Sequence, residues 1–117
     1  MKKSPIKTKS YLLAINIVEL YKRLSEQRKE YVLSKQVLKS GTSVGANIRE
    51  AIQAESKADF IHKMCIAFKE SSETEYWLEL LRDTNYLDEP TFDYLHSECE
   101  EVSRLLTAII KSSKERN

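Results

Sequence analysis

Apolar positions recur along this chain at steps of three and four almost from end to end, a spacing that predicts four α-helices. In the first, Leu13, Ile17, Leu20 and Leu24 line one face, while Tyr11, Ala14, Val18 and Tyr21 form a second apolar strip on nearly the opposite side. A helix apolar on two faces is either enclosed or has a second partner. The polar run Glu26-Gln27-Arg28-Lys29-Glu30 breaks the pattern and reads as a connection.

The second segment holds the chain's only two glycines, Gly41 and Gly45. One reading is a loop at Ser40-Gly41-Thr42-Ser43 that splits two short helices. The favoured reading is a continuous helix, because Leu33, Val37, Gly41, Val44, Ile48 and Ile52 keep helical phase through the glycines. Each interior glycine costs about 1 kcal/mol relative to alanine. A bulky side chain or backbone packed against the bare surface at Gly41 and Gly45 is the simplest offset, which makes both candidate helix-packing residues.

The third helix is expected to start at Ser56, an N-cap residue with Asp59 three positions later. Phe60, Met64, Ala67, Phe68, Ser71, Leu78 and Leu81 make its core face, and Ile66, Trp77 and Leu80 fall on another side. Trp77 is the only tryptophan; it is either an interface anchor or a ring lapping over the bundle's own edge. Asn85 to Asp88 close this helix, Asp88 caps the next, and Pro90 is tolerated in its first turn. Leu95, Cys99, Val102, Leu106 and Ile109 then form a bundle seam. The expected spans are 5–26, 34–54, 57–86 and 89–114. With short links, they pack as an all-α, antiparallel up-down-up-down four-helix bundle forming one domain over 1–117.

Composition agrees with that picture: two prolines, two glycines and 32% charged residues among 117 describe a helix-rich chain long enough to bury its own core. No apolar run approaches the roughly 20 residues that cross a bilayer, and the first residues resemble no signal peptide. The expectation is a cytoplasmic protein with no membrane association. Cys65 and Cys99 form no CxxC and fall within helical patterns, so both read as small buried hydrophobes.

Charge is unevenly distributed along the chain. Residues 1 to 49 hold eleven Lys and Arg against Glu19, Glu26 and Glu30, whereas residues 70 to 101 hold eleven Asp and Glu against Arg82 alone. Such blocks either attract one another across helix faces or present a basic and an acidic surface to partners.

The search for chemistry is mostly negative. Two Asp-x-x-His pairs, Asp59 with His62 and Asp93 with His96, evoke the di-metal sites of helical bundles. Antiparallel packing around a turn near residue 87 places His96 opposite residue 79, about 25 Å along the axis from His62. One cluster cannot gather both pairs, and the histidines read as solvated or core-edge. No nucleophile elbow or Cys-His signature is present, and Gly41-x-x-x-Gly45 lacks the Gly-Lys-Ser/Thr of a phosphate loop. Glu75 falls on the apolar side of its helix, where Arg82 or a group from another helix is expected to pair with it. No catalytic residue, metal ligand or cofactor is assigned.

The most distinct surface signal is basic. Lys35, Lys39 and Arg49, with Gln53, share a band opposite the apolar face of the second helix, and Lys22, Arg23, Arg28 and Lys29 lie near where that helix begins. Together they form a candidate patch for RNA or DNA phosphates.

The run from Val32 through Ala51, with Glu55-Ser56, Asp59-Phe60-Ile61-His62-Lys63, Ala67-Phe68-Lys69-Glu70, Glu73-Thr74 and Tyr76-Trp77-Leu78-Glu79-Leu80-Leu81, resembles a bacterial four-helix-bundle family. It is the family named for proteins encoded in intervening sequences of 23S ribosomal RNA genes. The resemblance covers almost the whole chain. It implies up-down bundles that assemble into ring-shaped homopentamers, which would account for the second apolar strips and make Tyr11, Val18, Tyr21, Ile66, Trp77 and Leu80 candidate interface residues. A relative, the accessory protein of diversity-generating retroelements, uses a basic pentameric surface to bind nucleic acid and a reverse transcriptase. That relative is strongly basic, whereas this chain carries a formal charge of +1. The family transfers no catalytic residues. Two functions follow as expectations: a non-enzymatic oligomeric module that meets nucleic acid or a nucleic-acid-processing protein through a basic surface, or a structural, protein-interaction scaffold without nucleic acid.

Overall fold

Four antiparallel helices, α1 (Pro5–Glu26), α2 (Leu33–Ile52), α3 (Lys57–Asp83) and α4 (Glu89–Glu115), make up the computed structural model, which describes residues 4–116. Met1, Lys2, Lys3 and Asn117, which belong to the expected 1–117 domain, lie outside the described residues. Among the described residues there is no strand.

Each helix starts where the sequence supplies an acceptor for its free amides. Ser4 Oγ accepts from Lys7 N at 3.4 Å, with Pro5 in the first turn. Ser56 Oγ accepts from Asp59 N at 3.0 Å, and Asp88 Oδ2 accepts from Thr91 N at 3.3 Å. The start of α2 is capped differently: the Glu30 carboxylate accepts from the backbone N–H groups of Val32, Leu33 and Ser34 at 3.1, 2.9 and 2.7 Å. Burial pushes the Glu30 carboxyl up, but the backbone donors at Leu33, Ser34 and Val32 outweigh it and hold the group below its ordinary value.

The expected third helix overran its end. It stops at Asp83 rather than 86 because Asn85 takes the left-handed conformation (φ 69°), which lets Tyr86 N donate to Leu81 O at 2.9 Å and close the last turn. The second starts one residue earlier and ends two earlier than expected.

Packing follows the periodicity. Leu13, Ile17, Leu20 and Leu24 from α1 meet Val37, Val44 and Ile48 from α2, Met64, Ala67, Leu78 and Leu81 from α3, and Leu95, Cys99, Val102 and Leu106 from α4 in one core. Phe60, Phe68, Leu33 and Ile109 are only partly buried against it, and Ile52, expected inside, is exposed. Helix α1 packs on α2 and α4, and α3 packs on α2 and α4, while the backbones of the diagonal pairs do not approach closely. The bundle is therefore square in section. It is also elongated, 49 by 26 by 21 Å.

Gly41 is buried and faces Ile17, whose Cγ2, Cγ1 and Cβ lie 2.8, 2.9 and 3.2 Å from where a Cβ would stand. A β-branched side chain held at its own Cβ has little freedom to give way. At Gly45 the nearest atom is Ser10 O at 3.5 Å, an ordinary contact. Only the first glycine is needed for the approach of α1 to α2.

Candidate functional site

Opposite charges meet across neighbouring helices at the bundle's surface. Lys9 pairs with Glu101 at 3.1 Å and Asn16 donates to Glu98 at 2.8 Å, joining α1 to α4, while Lys63 pairs with Glu50 at 2.8 Å and joins α3 to α2. Lys9–Glu101, with Arg23 3.9 Å from Asp88, joins the basic stretch of the sequence to the acidic one, so the lopsided distribution is used partly within the fold.

The candidate basic patch divides into two groups. At the end of α1, Arg28 donates to the carbonyls of Tyr86 and Asn85 at 3.3 and 3.1 Å and lies over the Tyr86 ring. Arg23 lies 3.9 Å from Asp88, and Lys22 lies 3.6 Å from Glu19 on its own helix. Lys29 is exposed, in the left-handed conformation (φ 55°) that turns the chain toward α2. These residues close the top of the bundle. On α2, Lys35, Lys39 and Arg49 are all exposed, but Arg49 lies about 21 Å along the axis from Lys35 and covers the Tyr11 ring. Burial and Glu73 push the Glu70 carboxyl up, while Lys39 draws it down, which brings Lys39 near an acid of α3. One continuous patch of seven does not form; Lys35 and Lys39, one turn apart, are its remaining compact element.

The apolar surface left uncovered is more extensive. One groove runs along α1 and α2, lined by Tyr11, Ala14, Ile15 and Val18 and continuing past Thr42, Gly45 and Ala46. A larger groove of about 600 Å³ lies between α3 and α4, lined by Cys65, Phe68, Thr107 and Ile110 and rimmed by Lys69, Lys111 and Lys114. Because the helices form a square, these grooves lie on opposite sides. They also overlap in height: Thr74 donates to Ser40 and Lys63 pairs with Glu50, a register that sets Ala46 beside residue 68.

Tyr11 and Val18 fall in the first groove as the two-faced pattern suggested, and Tyr21 is half-buried farther up α1. The α3 strip is different. Trp77 packs against the bundle's own core, donates Nε1–H to Glu73 at 3.0 Å and meets Tyr76 edge-on. Ile66 and Leu80 are half-buried, and neither lines the α3–α4 groove. Periodicity assigns Phe68 to the core and Cys65 reads as a buried hydrophobe, but both are only partly buried and line the α3–α4 groove with Ile110.

A polar network stitches α3 to α4. Ser71 and Ser103 share a hydrogen bond of 2.7 Å, and Cys99 Sγ donates to Ser71 O at 3.3 Å. Ser103 Oγ donates to Glu75 Oε2 at 3.1 Å. Of the two partners expected for Glu75, Arg82 or a group from another helix, the structure supplies the second in Ser103, while Arg82 donates to Asp83 at 2.9 Å and lies over the Phe92 ring. Beside Glu75, His96 Nε2 lies 3.2 Å from Glu79 Oε2, where antiparallel register placed it. Burial pushes the Cys99 thiol up to about 12, and the carboxylates of Glu75, Glu100 and Glu98 act in the same direction against the Ser71 hydrogen bond. A thiol so held is packing, not a nucleophile. Among the described residues no buried side-chain nitrogen or oxygen lacks a partner, and no helix is long and apolar enough to cross a membrane.

No curated protein matches this chain. A solved structure from Bacteroides thetaiotaomicron, described as a protein with unknown function from the S23 ribosomal protein family, is 54% identical and superposes with a TM-score of 0.90, covering 91% of this chain and 98% of that one. The family model of the 23S rRNA-intervening sequence protein matches residues 2–108. With nearly the whole bundle matched, the chain belongs to the 23S rRNA-intervening sequence protein family.

Proposed function

We propose that this chain is a non-enzymatic helical module that joins copies of itself side by side into a closed ring, and that the ring presents Lys35 and Lys39 to RNA or DNA. The observation that supports assembly is the pair of unlike apolar grooves on opposite flanks, overlapping in height. When one flank of a copy receives the other flank of the next, the contact is heterologous, and such contacts close into rings if the rotation per copy allows. The family resemblance implies five copies. Repeating Lys35 and Lys39 around a ring multiplies a weak two-lysine contact, because linked sites raise the effective concentration of the next.

Substituting Ala46→Glu in one groove, or Thr107→Glu in the other, changes exposed positions and should reduce the particle to a monomer by light scattering. Charge reversal of Lys35 and Lys39 should leave the particle intact, weaken RNA retention and flatten its salt dependence. A scaffold without nucleic acid is the second reading, favoured by the engagement of Arg23, Arg28 and Lys9 within the bundle. Absence of RNA retention selects it, whereas retention unaltered by the reversal overturns Lys35 and Lys39 as the binding surface.

A further inference from the structure

We propose that Glu75, Glu79 and His96 bind one divalent first-row transition ion, Zn²⁺ foremost, across the α3–α4 seam. One oxygen from each carboxylate and one imidazole nitrogen lie within 4.8 Å of one another. His96 Nε2 is 3.2 Å from Glu79 Oε2 and 3.8 Å from Glu75 Oε1. Ligands at 2.0 to 2.2 Å from a tetrahedral zinc stand about 3.4 Å apart, so small side-chain rotations bring the three onto one ion. The α3 carboxylates sit at i and i+4, on one face of the helix, and the histidine comes from the neighbouring helix.

The surroundings already orient two of the three donors, Glu75 and His96. Ser103 Oγ holds Glu75 through Oε2, which leaves Oε1 turned toward His96. The Phe92 ring stacks on the imidazole with centroids 4.8 Å apart. Glu100 Oε1 lies 3.7 Å from His96 Nδ1, on the side from which a carboxylate orients a ligating histidine, and a small rotation brings it to hydrogen-bond distance. Three carboxylates thus gather around one imidazole, and among the described residues no Lys or Arg forms an ion pair with any of them. Arg82 feels Glu79 but is engaged by Asp83 and the Phe92 ring, so a divalent cation supplies the further positive charge that three carboxylates call for. One nitrogen and two carboxylate oxygens favour Zn²⁺ and its first-row neighbours over Mg²⁺ and Ca²⁺, which take oxygen alone. Three protein ligands leave the fourth position to water, and half-exposed Glu79 gives the ion a way in.

The test is titration of the full chain, without a histidine tag, with Zn²⁺ by calorimetry and with Co²⁺ by visible absorption. Saturable binding of one ion per chain is expected, with tetrahedral Co²⁺ bands and a melting temperature that rises with Zn²⁺ concentration. Glu79→Gln, a surface change that leaves the fold intact by circular dichroism, should abolish that binding, as should His96→Ala. Glu100→Gln should weaken it by roughly 10- to 100-fold, and His62→Ala should leave it unchanged. Absence of saturable binding, binding that survives Glu79→Gln, or equal competition by Mg²⁺ would overturn the proposal, the last by reducing the cluster to an acidic patch around a histidine.

Discussion

The α1–α2 seam and the α3–α4 seam hold the same bundle together by opposite means. The first closes because a side chain is missing: Gly41 lets Ile17 approach within 2.8 Å of where a Cβ would stand. The second closes through side chains that must be present, from the Ser71–Ser103 hydrogen bond to Glu75 and His96. A steric seam is sensitive to added volume, since cores are packed to crystal density. A polar seam is sensitive to the loss of one partner, which leaves the other buried and unsatisfied.

That contrast can be broken in order of expected effect. Gly41→Ala should destabilise the chain by about 2 kcal/mol in urea unfolding, because overpacking against Ile17 exceeds the gain in helix propensity; an increase in stability would show that α1 shifts freely. Ser103→Ala, which takes the donor from Glu75 and a partner from Ser71, should cost about 1.5 kcal/mol, and Ser103→Thr should restore part of it. At the loop leading into α2, Glu30→Ala should cost about 1 kcal/mol at neutral pH by freeing three capped amides. The folded Glu30 titrates below its ordinary value of 4.5. Its contribution is therefore full above that value and declines as pH falls through the folded value, so the gap between wild type and Glu30→Gln should narrow in acid. The smallest effect is a gain: Gly45→Ala meets nothing closer than 3.5 Å and should stabilise the isolated chain by about 0.5 to 1 kcal/mol.

Reading the sequence located the helices because caps and periodicity are local properties. Ser56, Asp88 and the Leu13-to-Leu24 stripe carry their own positions. The two glycines were legible as a packing notch but not as unequal, since the difference depends on whether Ile17 or Ser10 stands opposite, which only the α1–α2 register decides. Register also placed His96 beside Glu79 and the i,i+4 spacing puts Glu100 on its own face of α4, yet its meeting with Glu75 requires the rotation of both helices. The α3–α4 groove stayed hidden for a related reason. Phe68 and Ile110 are apolar whether they face a core or a gap, and periodicity does not separate the two. The basic residues failed differently: Arg28 serves the carbonyls of Asn85 and Tyr86, more than fifty residues away in sequence.

Head-to-tail assembly is tested most directly by the mass of an equimolar mixture of Ala46→Glu and Thr107→Glu chains in sedimentation equilibrium. Each variant alone should be a monomer of 13.6 kDa, while the mixture retains one intact pair of grooves and should sediment at about twice that mass. A mixture that stays at the monomer mass, or variants that remain assembled when alone, would contradict the account.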